Sequence, residues 1–179
     1  MCARSTATIA TMPQAGQPCP SVGRRAYHFA MGSAVTRTFP ANAHRRFCQV
    51  YPALAGSVAL ARAAVVAFAQ QAGASQATVE AVRLGVSEAV TNVVVHAYSD
   101  APEPGAVEVA AALAAGELWV IVADAGSGLR PRRDGPGLGL GLGLIAQVSD
   151  GVDLAHRASG GLELRMRFVV DPSAGQQTA

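Results

Sequence analysis

Glycine stands at every second position from Gly137 to Gly143, and leucine fills the positions between. Because glycine costs a helix about 1 kcal/mol per residue relative to alanine, this spacing is unfavourable in the interior of an ordinary helix. Backbone N–H groups left exposed at a helix start can bind an anion, while the leucines anchor the segment in a core. A flexible linker is the alternative, but linkers do not normally carry leucine at every other position. The run therefore predicts an anion-binding loop that leads into a helix.

Two helices are predicted upstream, where apolar residues recur every three or four positions over residues 53–72 and 76–98. Gly73 suits the end of the first helix because glycine readily adopts the left-handed conformation found there. Ser75 can cap the second helix. The second helix has one apolar stripe, formed by Val79, Val82, Val86, Val90, Val93 and Ala97.

The apolar period changes to two after residue 105. Residues 107–113 alternate and residues 118–123 are wholly apolar, which predicts a hairpin whose second strand is buried on both faces. A strand over 47–51, a short helix over 141–148 and a second hairpin over 152–156 and 162–170 complete the order. This order predicts an α+β fold, a two-layer sandwich with helices on one face of a mixed or antiparallel sheet.

Glu88, Asn92 and His96 are spaced four residues apart on the second helix and share one face. An amide oxygen suits Mg²⁺, and a nearby carboxylate can deprotonate an attacking water or hydroxyl. Taken alone, the three residues fit the polar outer face of an amphipathic helix better. His96 is interpreted as a capping or packing residue without a catalytic role.

Asp124, Gly126 and Gly128 follow directly after the buried strand over 118–123. A carboxylate at a strand end can accept a hydrogen bond from an exocyclic amine such as that of adenine, and the glycines permit close approach. The same residue types are common in simple strand-to-loop turns, so this motif alone favours neither interpretation.

Composition and charge exclude several classes of protein. The net charge is only +2 and the basic residues are scattered, which argues against a nucleic-acid partner. Cys2, Cys19 and Cys48 form no C-x-x-C pair, so neither a disulfide framework nor a zinc site is predicted. The most apolar stretch, residues 53–69, falls short of the roughly 20 apolar residues of a membrane span. We expect a cytoplasmic protein without membrane contacts.

Residues 1–45 contain Met-Pro, Cys-Pro and Phe-Pro pairs, many Ser and Thr residues and no sustained period. They are expected to form a disordered or weakly ordered leader. The expected domain covers residues 46–170, and residues 171–179 are expected to be a tail.

Taken together and in order, these motifs resemble those of the GHKL ATPase superfamily. EAVTNVVVHAY over 88–98 is similar to the N box, DAGSG over 124–128 to the next box, and GLGLGLI over 139–145 to the glycine box. The sequence motif SEAVTN…HAY and the single-domain length are most similar to those of small bacterial anti-sigma regulatory factors, which are serine/threonine protein kinases. The resemblance covers roughly residues 45–170.

The resemblance implies a Bergerat-type site for Mg-ATP. Asn92 would hold Mg²⁺, Glu88 would be the general base and Asp124 would bind the adenine amine. The remaining nucleotide-binding residues would be Gly126, Gly128, Gly137, Gly139, Leu140, Gly141 and Leu142. The family often has Gly-Thr where this chain has Gly161-Leu162, so its adenine site is expected to depend more on Asp124 and water.

The resemblance also implies the partners. The substrate would be a serine or threonine of an anti-anti-sigma (STAS-type) protein, a sigma factor would be the second partner, and the chain would form a homodimer. Two other functions stay open: a nucleotide-gated binding protein without turnover, and a histidine-kinase-like ATPase module. The latter needs a two-helix segment with a phosphoacceptor histidine, whereas His28 and His44 lie in irregular sequence.

Overall fold

A computed structural model describes residues 39–127, 140–158 and 160–170 of the chain. Most of the expected leader, the expected tail over 171–179 and the start of the glycine run lie outside these residues. The elements follow in the order β1 (Arg45–Pro52), α1 (Ala55–Gln71), α2 (Gln76–Asn92), a π-helical turn (Val93–Ala97), β2 (Ala106–Ala114), β3 (Glu117–Asp124), α3 (Leu140–Val148), β4 (Gly151–His156) and β5 (Leu162–Val169).

The five strands form one sheet in the order β1-β2-β3-β5-β4, and every neighbouring pair is antiparallel. Alternate residues of the central strands, such as Val109 and Val120, join α1, α2 and α3 in the main core. Because successive side chains of a strand point to opposite faces, the helices cover one face of the sheet. The predicted α+β two-layer sandwich is confirmed, with a purely antiparallel sheet.

Helix α1 begins and ends close to its predicted bounds, and α2 begins at its predicted first residue. Gly73 adopts φ +82° after α1, and the Ser75 side chain accepts a hydrogen bond from the Thr78 N–H at 3.1 Å. Every residue of the valine stripe of α2 is buried. Because this stripe packs in the main core, the polar part of the α2 surface, which includes Glu88 and Asn92, stays outside it.

The last turn of the second helix differs from the prediction, because residues 93–97 form a π-helical turn rather than an α-helical one. Such wider turns occur mostly as single turns and often at functional sites. The Ala97 carbonyl lies at the helix end and has no partner within the helix. It accepts instead from the Ser127 N–H at 3.0 Å, so the turn joins α2 to the segment after β3.

The opposite face of the sheet carries a second, smaller cluster of buried residues: Phe39, Ala110, Ala112 and Ile121. Cross-strand ion pairs lie on this face, among them Arg167–Glu117 at 3.0 Å. Within the described part of the chain, no helix combines the length and apolar character that a membrane span requires.

Candidate functional site

Helix α3 crosses α2 at the residues that the sequence singled out. A Cβ placed on Gly141, the second residue of α3, would lie 3.3 Å from Glu88 Oε2 and 3.4 Å from Asn92 Nδ2. Contacts this short leave no comfortable space for a side chain. Glycine at position 141 therefore lets the start of α3 approach the carboxylate and the amide of α2 together.

Glu88 and Asn92 are the two polar side chains of α2 at this crossing. Among the described residues, neither the Glu88 carboxylate nor the Asn92 amide has a hydrogen-bond or ion-pair partner. The first N–H groups of α3 point out of its N-terminus, where the helix dipole favours negative charge. Leu142 packs against the main core and Ile145 is fully buried, which anchors α3 in this position.

Asp124, the last residue of β3, is buried with 4 % of its surface exposed. Its Oδ1 accepts a hydrogen bond from the Gly126 N–H at 2.8 Å. Burial raises the pKa of Asp124, while hydrogen bonds from the Gly126 and Leu162 N–H groups and the positive charge of Arg157 act in the opposite direction. The structure therefore holds a buried carboxylate with partial compensation of its charge.

Gly161 allows the start of β5 to lie against the backbone of Asp124. It adopts φ +84°, and a Cβ there would lie 2.2 Å from the Asp124 backbone oxygen. The approach brings the Leu162 N–H to the Asp124 side chain, so position 162 contributes through its backbone. In the sequence, Gly161-Leu162 is only a departure from the family pattern. The Gly160-Gly161 pair before a strand is the available signal for this contact.

Gly126 is packed against the end of the π-helical turn. A Cβ on Gly126 would lie 2.0 Å from the Ala97 backbone oxygen, the same oxygen that accepts from Ser127 N–H. The segment after β3 therefore lies directly on the helix that carries Glu88 and Asn92.

Arg157, just after β4, supports Asp124 from the far side of the sheet. Its Nη1 donates to the Asp124 backbone oxygen at 3.0 Å and lies 3.3 Å from Glu108 Oε1. The side chains of Arg157 and Glu108 are only 9 % and 18 % exposed. This pair was not predicted from the sequence, because its partners are 49 residues apart and share no periodic pattern.

The structure thus brings most of the described candidate residues into two groups. Glu88, Asn92 and Gly141 meet where α2 and α3 cross, and Asp124 and Gly126 lie where β3 ends, joined to the first group through the π-helical turn. Leu140 begins α3. Gly128, Gly137 and Gly139 lie outside the described residues.

Residues 51–168 match the sequence profile of the histidine kinase-like ATPase domain. The chain belongs to this family. The match covers β2, β3 and β4, all of β5 except Val169, and only the last two residues of β1, and it includes every residue of both groups. The predicted membership of the GHKL superfamily is confirmed.

Two solved structures are similar to the chain. The RsbU and RsbW domains of Rv1364c from Mycobacterium tuberculosis are 22 % identical to the chain, with a TM-score of 0.56 over 70 % of it. The histidine kinase domain of a blue-light activated kinase from Erythrobacter litoralis is 28 % identical over 52 % of the chain, with a TM-score of 0.44. The chain spans 32 % and 45 % of those chains. No curated protein sequence matches it significantly.

Proposed function

We propose that this chain is a cytoplasmic anti-sigma regulatory factor that binds Mg-ATP and phosphorylates a serine or threonine of an anti-anti-sigma partner. The observation that carries the proposal is the contact of Gly141 with both Glu88 and Asn92. It places a candidate base, a candidate Mg²⁺ ligand and a helix N-terminus around one point, and each of the three suits a phosphate group or its metal.

Asp124 fits the adenine of the nucleotide. An ionised carboxylate offers about four acceptor positions and no donor. The Gly126 and Leu162 N–H groups use part of this capacity, so acceptor positions remain for an exocyclic amine. Position 162 on β5 is a leucine, so it offers no threonine hydroxyl to the base, and its backbone N–H bonds to Asp124 instead. Asp124 is therefore the main polar contact to the base.

Asn92 and the start of α3 fit the phosphates. The Asn92 side-chain oxygen is a hard ligand of the kind Mg²⁺ prefers, and bound Mg²⁺ would neutralise charge on the phosphate oxygens. The N–H groups at the start of α3 are donors for the same oxygens. Gly128, Gly137, Gly139, Leu140 and Leu142 are proposed to complete the site.

Glu88 supports a kinase rather than binding alone. It lies one helical turn before Asn92, and its carboxylate has no described partner that would occupy it. In the proposed reaction Glu88 accepts the proton of the substrate hydroxyl, the hydroxyl oxygen bonds to the γ-phosphorus, and the bond to ADP breaks.

The partners follow from the sequence resemblance to anti-sigma regulatory factors. The substrate is an anti-anti-sigma protein of the STAS type, a sigma factor is the second partner, and the chain acts as a homodimer. The fold likeness to a structure that contains an RsbW domain is compatible with this assignment. A histidine-kinase-like module is the competing function, since the family is named after those enzymes.

The decisive test combines calorimetry with a phosphotransfer assay on a purified anti-anti-sigma protein. Asn92→Ala should lower Mg-ATP affinity at least about tenfold, as expected for loss of a charge-assisted contact. Glu88→Gln should keep the affinity within about threefold but lower phosphotransfer by about 100-fold or more, the usual contribution of a general base. Glu80→Gln is the matched control, because Glu80 lies exposed on the same helix and pairs with Arg83.

The chemistry of the product separates the alternatives. Acid-stable phosphoserine or phosphothreonine on the partner supports the proposal, whereas acid-labile phosphate on histidine would indicate a histidine-kinase-like module. Mg-ATP binding that changes partner affinity, with no phosphoprotein and no effect of Glu88→Gln, would indicate a nucleotide-gated binding protein.

A further inference from the structure

Tyr98 joins three segments of the chain through one oxygen atom. It follows the π-helical turn directly. Its hydroxyl donates to the Ala106 backbone oxygen at 2.7 Å, at the start of β2. The same hydroxyl accepts from the Ala125 N–H at 3.0 Å, in the segment after β3. The end of the long helix, β2 and the residue next to Asp124 are thus held together.

Gly105 makes room for the Tyr98 ring. A Cβ on Gly105 would lie 2.0 Å from Tyr98 Cε1 and 2.1 Å from Cζ, so any side chain there would displace the ring. The backbone oxygen of Gly105 is itself fixed by the Ala53 N–H at 2.8 Å. The ring therefore occupies a position that the surrounding backbone defines closely.

The Tyr98 hydroxyl is protonated, as both of its hydrogen bonds require. Burial raises the pKa of Tyr98, the hydrogen bond from the Ala125 N–H opposes this, and the negative charges of Asp124 and Glu108 raise the pKa further. At neutral pH the oxygen keeps its proton for Ala106 and offers a lone pair to Ala125. Loss of this oxygen would leave a partly buried N–H without its acceptor.

The contact matters because of where Ala125 lies. Asp124 precedes it, and Gly126, which follows, donates to the Asp124 carboxylate at 2.8 Å. Ser127 then donates to the Ala97 oxygen at 3.0 Å. Tyr98 and Ala97 are adjacent, so two neighbouring residues at the helix end hold the segment 125–127 on both sides of Gly126.

We propose that Tyr98 is a positioning residue for base selectivity: it holds the Asp124 segment at a fixed place relative to the helix that carries Glu88 and Asn92. The selected nucleotides are purines with an exocyclic 6-amino group, because Asp124 can accept a hydrogen bond from that group. This inference rests on the proposed nucleotide site, and it adds a residue that touches neither the base nor the phosphates.

The test compares Mg-ATP with Mg-ITP, which carries a 6-oxo group in place of the amine. Calorimetry would be run on the full chain, wild type and Tyr98→Phe, at a temperature where both are folded. ATP affinity should fall about tenfold in Tyr98→Phe, as for one hydrogen bond lost next to the recognising carboxylate. ITP affinity should stay within about twofold, so that the preference for ATP over ITP largely disappears.

Tyr51→Phe is the matched control. The Tyr51 hydroxyl is also half-buried and hydrogen-bonded, but to the Gln49 side chain on β1. Removing the same atom there should leave both nucleotide affinities unchanged. Gly105→Ala provides a second route to the same effect, because its methyl group displaces the Tyr98 ring while leaving the tyrosine in the chain.

Each outcome decides the role of Tyr98. A preference for ATP that falls in Tyr98→Phe and in Gly105→Ala but not in Tyr51→Phe supports it. Equal losses for ATP and ITP, together with a lower melting temperature, would reduce Tyr98 to a structural residue and overturn the inference. A wild type that binds neither nucleotide would overturn the proposed function as well, whereas a wild type that binds ATP leaves that function standing whatever Tyr98→Phe shows.

Discussion

Asp124 is a residue whose charge the folded protein disfavours. Burial raises its pKa above the ordinary value of 3.8, against the opposing hydrogen bonds and the Arg157 charge. The folded state therefore binds the Asp124 proton more tightly than the unfolded state does. This contribution to stability is complete below pH 3.8 and is lost as pH rises through the folded-state pKa. At neutral pH the ionised carboxylate thus lowers stability, as is common for groups kept for binding.

Asp124→Asn should separate stability from binding. The amide keeps an oxygen for the Gly126 N–H and removes the buried charge, so at pH 7 the variant should be no less stable than wild type in urea unfolding. Its advantage should shrink as pH falls through the raised folded-state pKa of Asp124, where the wild-type carboxylate takes up its proton. ATP affinity should fall more than about tenfold, because the amide presents a donor to the adenine amine.

Asp153→Asn is the control for this comparison, since Asp153 is an exposed carboxylate on β4 that pairs with Arg165. It should change neither the ATP affinity nor the slope of stability against pH by a measurable amount. An Asp124→Asn variant that is less stable at pH 7 yet binds ATP normally would show that Asp124 is structural.

At the scale of elements, periodicity determined what the sequence could predict. The stripe from Val79 to Ala97 and the alternation over 162–168 marked the helix and strand faces, because one residue in each period must enter the core. The π-helical turn and the contacts of Gly161 and Arg157 were not predictable in this way. They depend on which segments meet across 30 or more residues, and local pattern carries no information on that.

The approach of α3 to α2 allows an element-scale test with two glycines of one helix. Gly141→Ala adds a methyl group 3.3 Å from Glu88 Oε2, whereas a methyl group on Gly143 meets nothing within 4 Å. Both substitutions favour the helix by up to about 1 kcal/mol. Mg-ATP affinity should fall roughly tenfold in Gly141→Ala, since a displacement of a few tenths of an ångström disturbs both polar side chains.

Gly143→Ala should raise the free energy of unfolding at least as much as Gly141→Ala does. It should change the Mg-ATP affinity less than about twofold. Equal losses of affinity in the two variants would mean that α3 needs flexible glycine backbone as such. That result would remove the close approach of Gly141 as the reason for glycine at this position.

For the whole molecule, the candidate site joins elements that are far apart in the chain. Glu88 and Asn92 lie on α2, Asp124 ends β3 and Gly141 is the second residue of α3, while the main core holds both helices against the sheet that contains β3. A nucleotide bound across them would contact α2, α3 and β3 at once. Because these contacts exist only in the folded chain, ligand binding should stabilise the domain as a unit.

Thermal unfolding should therefore report occupancy of the site. At a free Mg-ATP concentration of about 100 times Kd, the free energy of unfolding should rise by about 2.7 kcal/mol. For a domain of this size, that corresponds to an increase in Tm of roughly 5–11 °C. Asn92→Ala at the same nucleotide concentration should gain at most about 1.4 kcal/mol, because a tenfold loss of affinity leaves the nucleotide at about 10 times Kd. Glu80→Gln should match wild type. An equal increase in Asn92→Ala would show that ATP binds away from the crossing of α2 and α3, because a ligand held there must respond to the loss of the Asn92 side chain.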